Sequence, residues 1–214
     1  MATTEEPGSD EPVSGRGFWM GRQTAGVGRG SGARPTEGGT PVDVAQVFVN
    51  ELGRIRDLTH RTVEGLAPEV LAFRPDDSAN SIAWLIWHLT RIQDDHIAGI
   101  AGTEQVWTAK GWHEQFNLPL TPIDTGYGHS AQQVSAVGAA PGDLLIAYHD
   151  AVYAQSVQFV EGLVAADLGR VVDRSWDPPV TLGVRLVSVI ADDLQHVGQA
   201  AYARGLAERQ PSPP

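Results

Sequence analysis

Residues 82–89, Ile-Ala-Trp-Leu-Ile-Trp-His-Leu, would be apolar on every side of a helix except at His88. A helix of that kind must be enclosed by other elements. Three further segments offer the faces to enclose it. Thr40-Pro41-Val42-Asp43 supplies a cap residue, a proline at the first helical position and an acid in the first turn, the pattern of a helix start. Val44, Phe48, Leu52, Ile55, Thr59 and Thr62 then recur at three- and four-residue spacing, which predicts a first helix over 43–66, stopped by Pro68. Asn80 or Ser81 caps the second, expected over 82–100. Pro141-Gly142-Asp143 opens a third through Leu144, Ala147, Tyr148, Val152, Gln155, Phe159 and Leu163, and Thr181 caps a fourth reaching 206. Sustained strand alternation and internal repeats are both absent. The expected fold class is all-α, a four-helix bundle with a long crossover connection between the second and third helices. That connection, 102–140, is rich in Gly, Pro and aromatics, with a short helix expected near 131–137. Crossing the bundle would leave the second and third helices parallel, and makes the segment a candidate lid.

Composition narrows the function. Residues 1–40 hold 10 of the 24 glycines and few large apolar side chains, too little to offset about 1–2 kcal/mol of backbone entropy per residue, so a disordered tail is expected there. Its Gly26-Val27-Gly28-Arg29-Gly30-Ser31-Gly32 run resembles a phosphate loop only superficially, since no apolar strand precedes it and no helix follows directly. The expected domain spans 41–209, with a flexible end at 210–214. Outside the tail, 21 acidic residues face 11 basic ones, a net charge of −10, which argues against tracking a nucleic-acid backbone. Zero cysteines exclude thiolate metal sites and cysteine nucleophiles. There is no apolar run long enough for a membrane span and no secretory signal pattern, so no membrane partner is expected and the default address is cytoplasmic. The absence of a Gly-x-Ser-x-Gly elbow argues against a serine hydrolase.

The chemistry sits in polar residues that the apolar helices do not need. An ionisable group in such a helix is costly unless paired or bound to a metal. Asp192 and His196 stand four apart on the fourth helix and share a face. His88 is the natural third donor. Two imidazoles and one carboxylate suit Zn²⁺ or Ni²⁺, and three protein ligands leave a position open, the catalytic pattern. His96 lies about 12 Å along the axis from His88, too far to share an ion. Asp193 is rotated about 100° from Asp192, so only one of the two can face the site. Asp95 and Gln199, seven residues beyond His88 and Asp192, are candidate second acceptors or pocket groups. Trp84, Trp87, Trp107 and Trp112 read as core and lid packing. His113 and His129 are expected to be solvent-exposed or lid residues, and His60 and His149 surface residues.

Asn80-Ser81-Ile82-Ala83-Trp84-Leu85-Ile86-Trp87-His88-Leu89 and His196-Val197-Gly198-Gln199, followed by Arg204, resemble the DinB-like superfamily of metalloenzymes over about 43–207. Gly111-Trp112 and Gly126-Tyr127-Gly128-His129-Ser130 look like that family's inter-helix segment. The resemblance implies a four-helix bundle with a divalent metal held by one residue of the second helix and two of the last: His88, Asp192 and His196. Many members have His where this chain has Asp192, whereas the mycothiol-dependent maleylpyruvate isomerase type has an acid there. The resemblance therefore implies a low-molecular-weight thiol such as mycothiol as cofactor, in transfer or isomerisation of a small-molecule substrate. Two other readings stay open at this point: a metal-dependent hydrolase using metal-bound hydroxide, with Asp95 or a loop histidine as proton carrier, and a non-catalytic helical module that forms a homodimer.

Overall fold

The computed structural model describes residues 43–210. The expected tail over 1–40, with its glycine-rich run, and the expected flexible end, apart from Gln210, lie outside these residues. Eight α-helices follow in order: α1 Val44–Val63, α2 Pro68–Leu71, α3 Ile82–Ala101, α4 Val106–Ala109, α5 Trp112–Phe116, α6 Ala131–Gly138, α7 Gly142–Val160 and α8 Leu182–Ala207. A 3₁₀ turn at Ala165–Gly169 leads into a small antiparallel hairpin, β1 Val171–Asp173 with β2 Val180–Thr181. The class is all-α, as expected.

Caps place the long helices. Asp43, and not Thr40, accepts the Ala45 N–H at 3.0 Å and starts α1. Ser81 accepts the Trp84 N–H at 3.1 Å to start α3, and Gly102 ends that helix with a positive φ that a side chain would resist. Thr181 caps α8 through the Val184 N–H. Ser130 and Gln133 form a reciprocal capping box on α6, where the short helix is expected.

Contacts fix the directions. Thr90 meets His149 and Gln93 meets Ser156, so α3 and α7 run parallel. Val63 lies against Gly142 while Gly53 lies against Tyr153, so α1 and α7 are antiparallel. Leu182 and Leu186 pack with Ile97, Phe48 and Leu52, whereas Arg204 reaches the carbonyls of Arg61 and Thr62. The order is up-down-down-up, and the segment 102–141 makes the crossover. Helix α3 is the central rod, with every residue from Ile82 to Asp94 buried. The main core joins it to Leu145, Tyr148, Val152, Val197 and Ala200, with Trp107 and Phe116 contributed by the crossover. No helix among the described residues is long and apolar enough to cross a membrane.

The crossover carries structure that periodicity does not announce. Both Asp94 oxygens accept backbone N–H groups from its start, Val106 and Trp107, each at 2.8 Å. A side chain from α3 thus caps α4, a start signal that lies twelve residues upstream.

Candidate metal centre

His88 lies at mid-height on α3, with Asp192 and His196 one turn apart on the antiparallel α8. One ligand atom from each lies within 4.8 Å of the other two. Ligand atoms around a shared Zn²⁺ lie about 3–4 Å apart, so small side-chain rotations would close the set. The two imidazole rings meet edge to face, centroids 4.8 Å apart and planes at 77°.

The hydrogen bonds decide which ring nitrogens point inward. His88 Nδ1 lies 2.5 Å from the Thr125 carbonyl, which can only accept, so Nδ1 carries the hydrogen and Nε2 keeps its lone pair. His196 Nδ1 makes the same kind of bond to Gln199 Oε1 at 3.0 Å, leaving Nε2 as an acceptor 3.7 Å from Asp192 Oδ1. Burial drives the His88 pKa down to about 4, against the opposing pull of the Thr125 carbonyl. The ring is therefore neutral at physiological pH, the form that ligates. Burial raises the Asp192 carboxyl, and the His196 charge lowers it in part. Asp192 Oδ2 is buried with no hydrogen-bond partner. When both rings are neutral, all three side chains present a lone pair to one point, and each can ligate a cation.

Residues 122–129 clasp this centre from the side. Trp84 stacks on His88, centroids 4.6 Å apart and planes at 14°. Its indole N–H donates to His129 Nδ1 at 2.9 Å, and His129 Nε2–H donates to Asp124 Oδ1 at 2.8 Å. Asp124 Oδ1 also accepts the Gly126 N–H. Gly126 adopts φ +103°, and a Cβ there would sit 2.7 Å from His88 Nδ1 and 2.9 Å from Trp84 Cζ2, so only glycine lets the chain pass this close. From the far side, Arg91 donates to the carbonyls of Asp124 (3.1 Å) and Pro122 (3.3 Å) and ties the clasp to α3. Tyr127 sets its ring edge-on to His88 at 5.6 Å while staying largely exposed.

The other sequence candidates fall out as follows. Gln199 touches His196, and Trp84 forms the floor under His88. Asp95 reaches neither: its Oδ1 accepts from Gln105 Nε2 at 2.7 Å, and its Oδ2 lies 3.8 Å from His96 Nδ1. It lies two turns from His88 along α3. Asp193 does turn away from the centre, but into the core on the seam of Leu186, Val189, Val197 and Ala200. Burial and the Asp192 charge push its carboxyl well above the ordinary range.

Of the remaining histidines, His149 and His60 depart from the expected surface placement, while His129 lies in the lid segment. The His129 side chain is only 3% exposed, because it accepts the Trp84 indole N–H and Asp124 completes the chain. His149 is fully buried beside Thr90, since its face of α7 turns toward α3. His60 is half-buried against Asp150 at 2.8 Å, sharing that carboxylate with Arg56. His113 is half-buried, its ring 5.9 Å from Trp107. Trp84, Trp87 and Trp107 are core residues as expected, and Trp112 packs against their cluster.

Sequence reasoning missed Arg91, Asp94 and Tyr148, whose side chains are all buried. Tyr148 donates to Asp94 Oδ2 at 2.9 Å, and Arg91 donates to Gln105 and to the Tyr148 hydroxyl. The signal was present: an Arg and an Asp three apart in an apolar helix meet the same test that singled out His88.

An up-down-down-up helical bundle with an imidazole on its central rod and a carboxylate–imidazole couple on its last helix defines a class: helical bundles carrying an open, three-residue candidate metal site. The comparisons specify the family. The model for the DinB superfamily matches residues 51–200, and the chain belongs to that superfamily. A solved structure described as the conserved protein of locus from Enterococcus faecalis is similar at 30% identity and a TM-score of 0.73, over 79% of this chain and 99% of that one. Among curated proteins, none matches.

Proposed function

We propose that His88, Asp192 and His196 hold a divalent cation, Zn²⁺ or Ni²⁺, and that the protein is a metal-dependent enzyme using a low-molecular-weight thiol of the mycothiol type. The reaction class is S-transfer or isomerisation of a small electrophilic substrate. One observation carries the metal: three acceptors face one point, and Asp192 Oδ2 is buried without a donor. Asp193 also has unpartnered oxygens, but among the described residues it belongs to no such group of ligand atoms. Two nitrogens and one oxygen match the preferences of a borderline ion and leave room for an exogenous ligand.

Such an ion, when bound, lowers the pKa of a coordinated thiol or water. The chain's own residues do the rest. Thr125 and Gln199 fix the two rings so that Nε2 points inward. Trp84 closes the floor, and Tyr127 shields His88 on the open side. The acid at 192 supports the thiol branch of the superfamily, where an acidic residue stands at that position. The hydrolase alternative needs a protein proton carrier, and its nominees are badly placed: Asp95 is held by Gln105 two turns away, His129 is sealed behind Trp84, and His113 packs its ring 5.9 Å from Trp107.

Metal analysis of purified, reloaded protein tests the reading. About one ion per chain is expected in the wild type, and loss in His196→Ala; a wild-type content below ~0.2 per chain would overturn it.

A further inference from the structure

Beyond the candidate centre, α3 and α8 carry a second group of polar side chains. Arg185 precedes Asp192 by two helical turns on the same face, and Asp95 follows His88 by two turns on its own. Because the helices are antiparallel, Arg185 and Asp95 come to one level, about 10 Å along the axis from the centre. His96 and Asp173 flank them. Tyr127 spans the two levels: its ring lies against His88, and the charges of Asp192, Arg185 and Asp95 all act on its hydroxyl.

Arg185 is under-used where it stands. Its side chain is only 18% exposed, yet just one of its five N–H donors is engaged, Nη2 to Asp173 Oδ2 at 2.8 Å. Asp173 is itself fixed by the N–H and hydroxyl of Ser175. The remaining guanidinium donors and the Tyr127 hydroxyl have no protein partner among the described residues. Among the described residues Arg185 is the one fixed cation placed with Asp95, Asp173 and Asp192; burial and Arg185 lower the His96 pKa, with Asp95 and Asp173 pulling the other way. A guanidinium with free, half-buried donors is a carboxylate or phosphate receptor in waiting.

We propose that Arg185, assisted by the Tyr127 hydroxyl, binds an anionic group of the thiol or substrate about 10 Å from the atom held at the centre. This rests on the metal-and-thiol reading above. It makes Arg185 a specificity residue, selecting elongated molecules with a thiol at one end and a carboxylate or phosphate at the other.

Cobalt(II)-loaded protein allows a test without the natural substrate. Straight-chain ω-mercaptocarboxylates of increasing length are titrated against neutral ω-mercaptoalcohols of matched length, and the thiolate-to-cobalt absorption is read. The carboxylates should bind more tightly only once the chain is long enough to span the gap, by about tenfold. Arg185→Gln should erase that preference while leaving the alcohols unchanged. Asp173→Ala, which frees the guanidinium from its one partner, should enlarge it. A preference equal in wild type and Arg185→Gln, or absent at every length while alcohols still give the band, overturns the Arg185 assignment alone. Failure of every thiol to give the band, with cobalt bound, overturns the thiol reading and this proposal with it.

Discussion

Helix α3 builds two polar settings within two turns of each other, and they are opposites. Around Asp94 everything is answered: two backbone N–H groups, the Tyr148 hydroxyl and the Arg91 guanidinium at 3.6 Å. Arg91 in turn stacks over Trp107 at 4.9 Å and holds the crossover by its carbonyls. Around His88 the rings are oriented with the same care, yet the inward-facing atoms meet only other acceptors. Both settings bury charge-bearing groups in an apolar rod. The closed one serves the fold; the open one brings three possible ligand atoms to one point. Neither burial nor a missing partner alone would separate them, since both oxygens of Asp193 also lack one in the core; the convergence of three ligand atoms on one point does.

The largest effect should come from opening the closed setting. Asp94→Ala strands a fully buried guanidinium and uncaps α4, and should cost about 3–5 kcal/mol in denaturant unfolding. A cost below about 1 kcal/mol would mean that water already relieves Arg91 there.

His149 gives an intermediate case, a neutral buried ring with one bond to Thr90 and an unpartnered Nε2. Burial lowers its pKa to about 4 from the usual 6.5. The unfolded chain therefore takes up a proton at higher pH than the folded one, and this group's contribution to stability falls as pH drops from about 6.5 to 4. The loss should be about 3 kcal/mol, and pH-dependent unfolding of His149→Gln should lack it. An equal slope in the variant would place the titration elsewhere.

The smallest effect should be the most telling. Asp192→Ala removes a carboxylate whose Oδ2 has no hydrogen-bond partner and whose Oδ1 lies 3.7 Å from His196 Nε2, so the metal-free protein should change by no more than about 1 kcal/mol, in either direction. Added Zn²⁺ should then raise the wild-type melting temperature and leave the variant unmoved. A variant that unfolds as readily as Asp94→Ala would erase the distinction between the two settings.

How much of this was legible follows from where each residue sits relative to regular structure. The long helices could be read because caps and apolar spacing are local. Ser81 and Thr181 start their helices as their positions suggest, and only α1 shifts its cap, from Thr40 to Asp43. His88, Asp192 and His196 stood out because a periodic apolar background makes a polar residue conspicuous. Residues 102–129 have no such background. The roles of Asp124, His129 and Gly126 exist only because the crossover returns to α3, a long-range fact held by Arg91 and Asp94. His149 was misplaced for a related reason: α7 has apolar residues on several faces, so spacing did not say which one α3 would cover. The side chains nearest the chemistry were visible in the sequence, and those that hold them steady were not.

The direction of the chain has a consequence for biogenesis. One donor of the centre sits on the second long helix and the other two on the last, so a nascent chain that has emerged only as far as α7 carries an imidazole but no couple to meet it. The proposed three-ligand centre can therefore form only once α8 docks against α3. Loading would therefore act as a seal on the finished molecule, and would leave incomplete chains unmetallated.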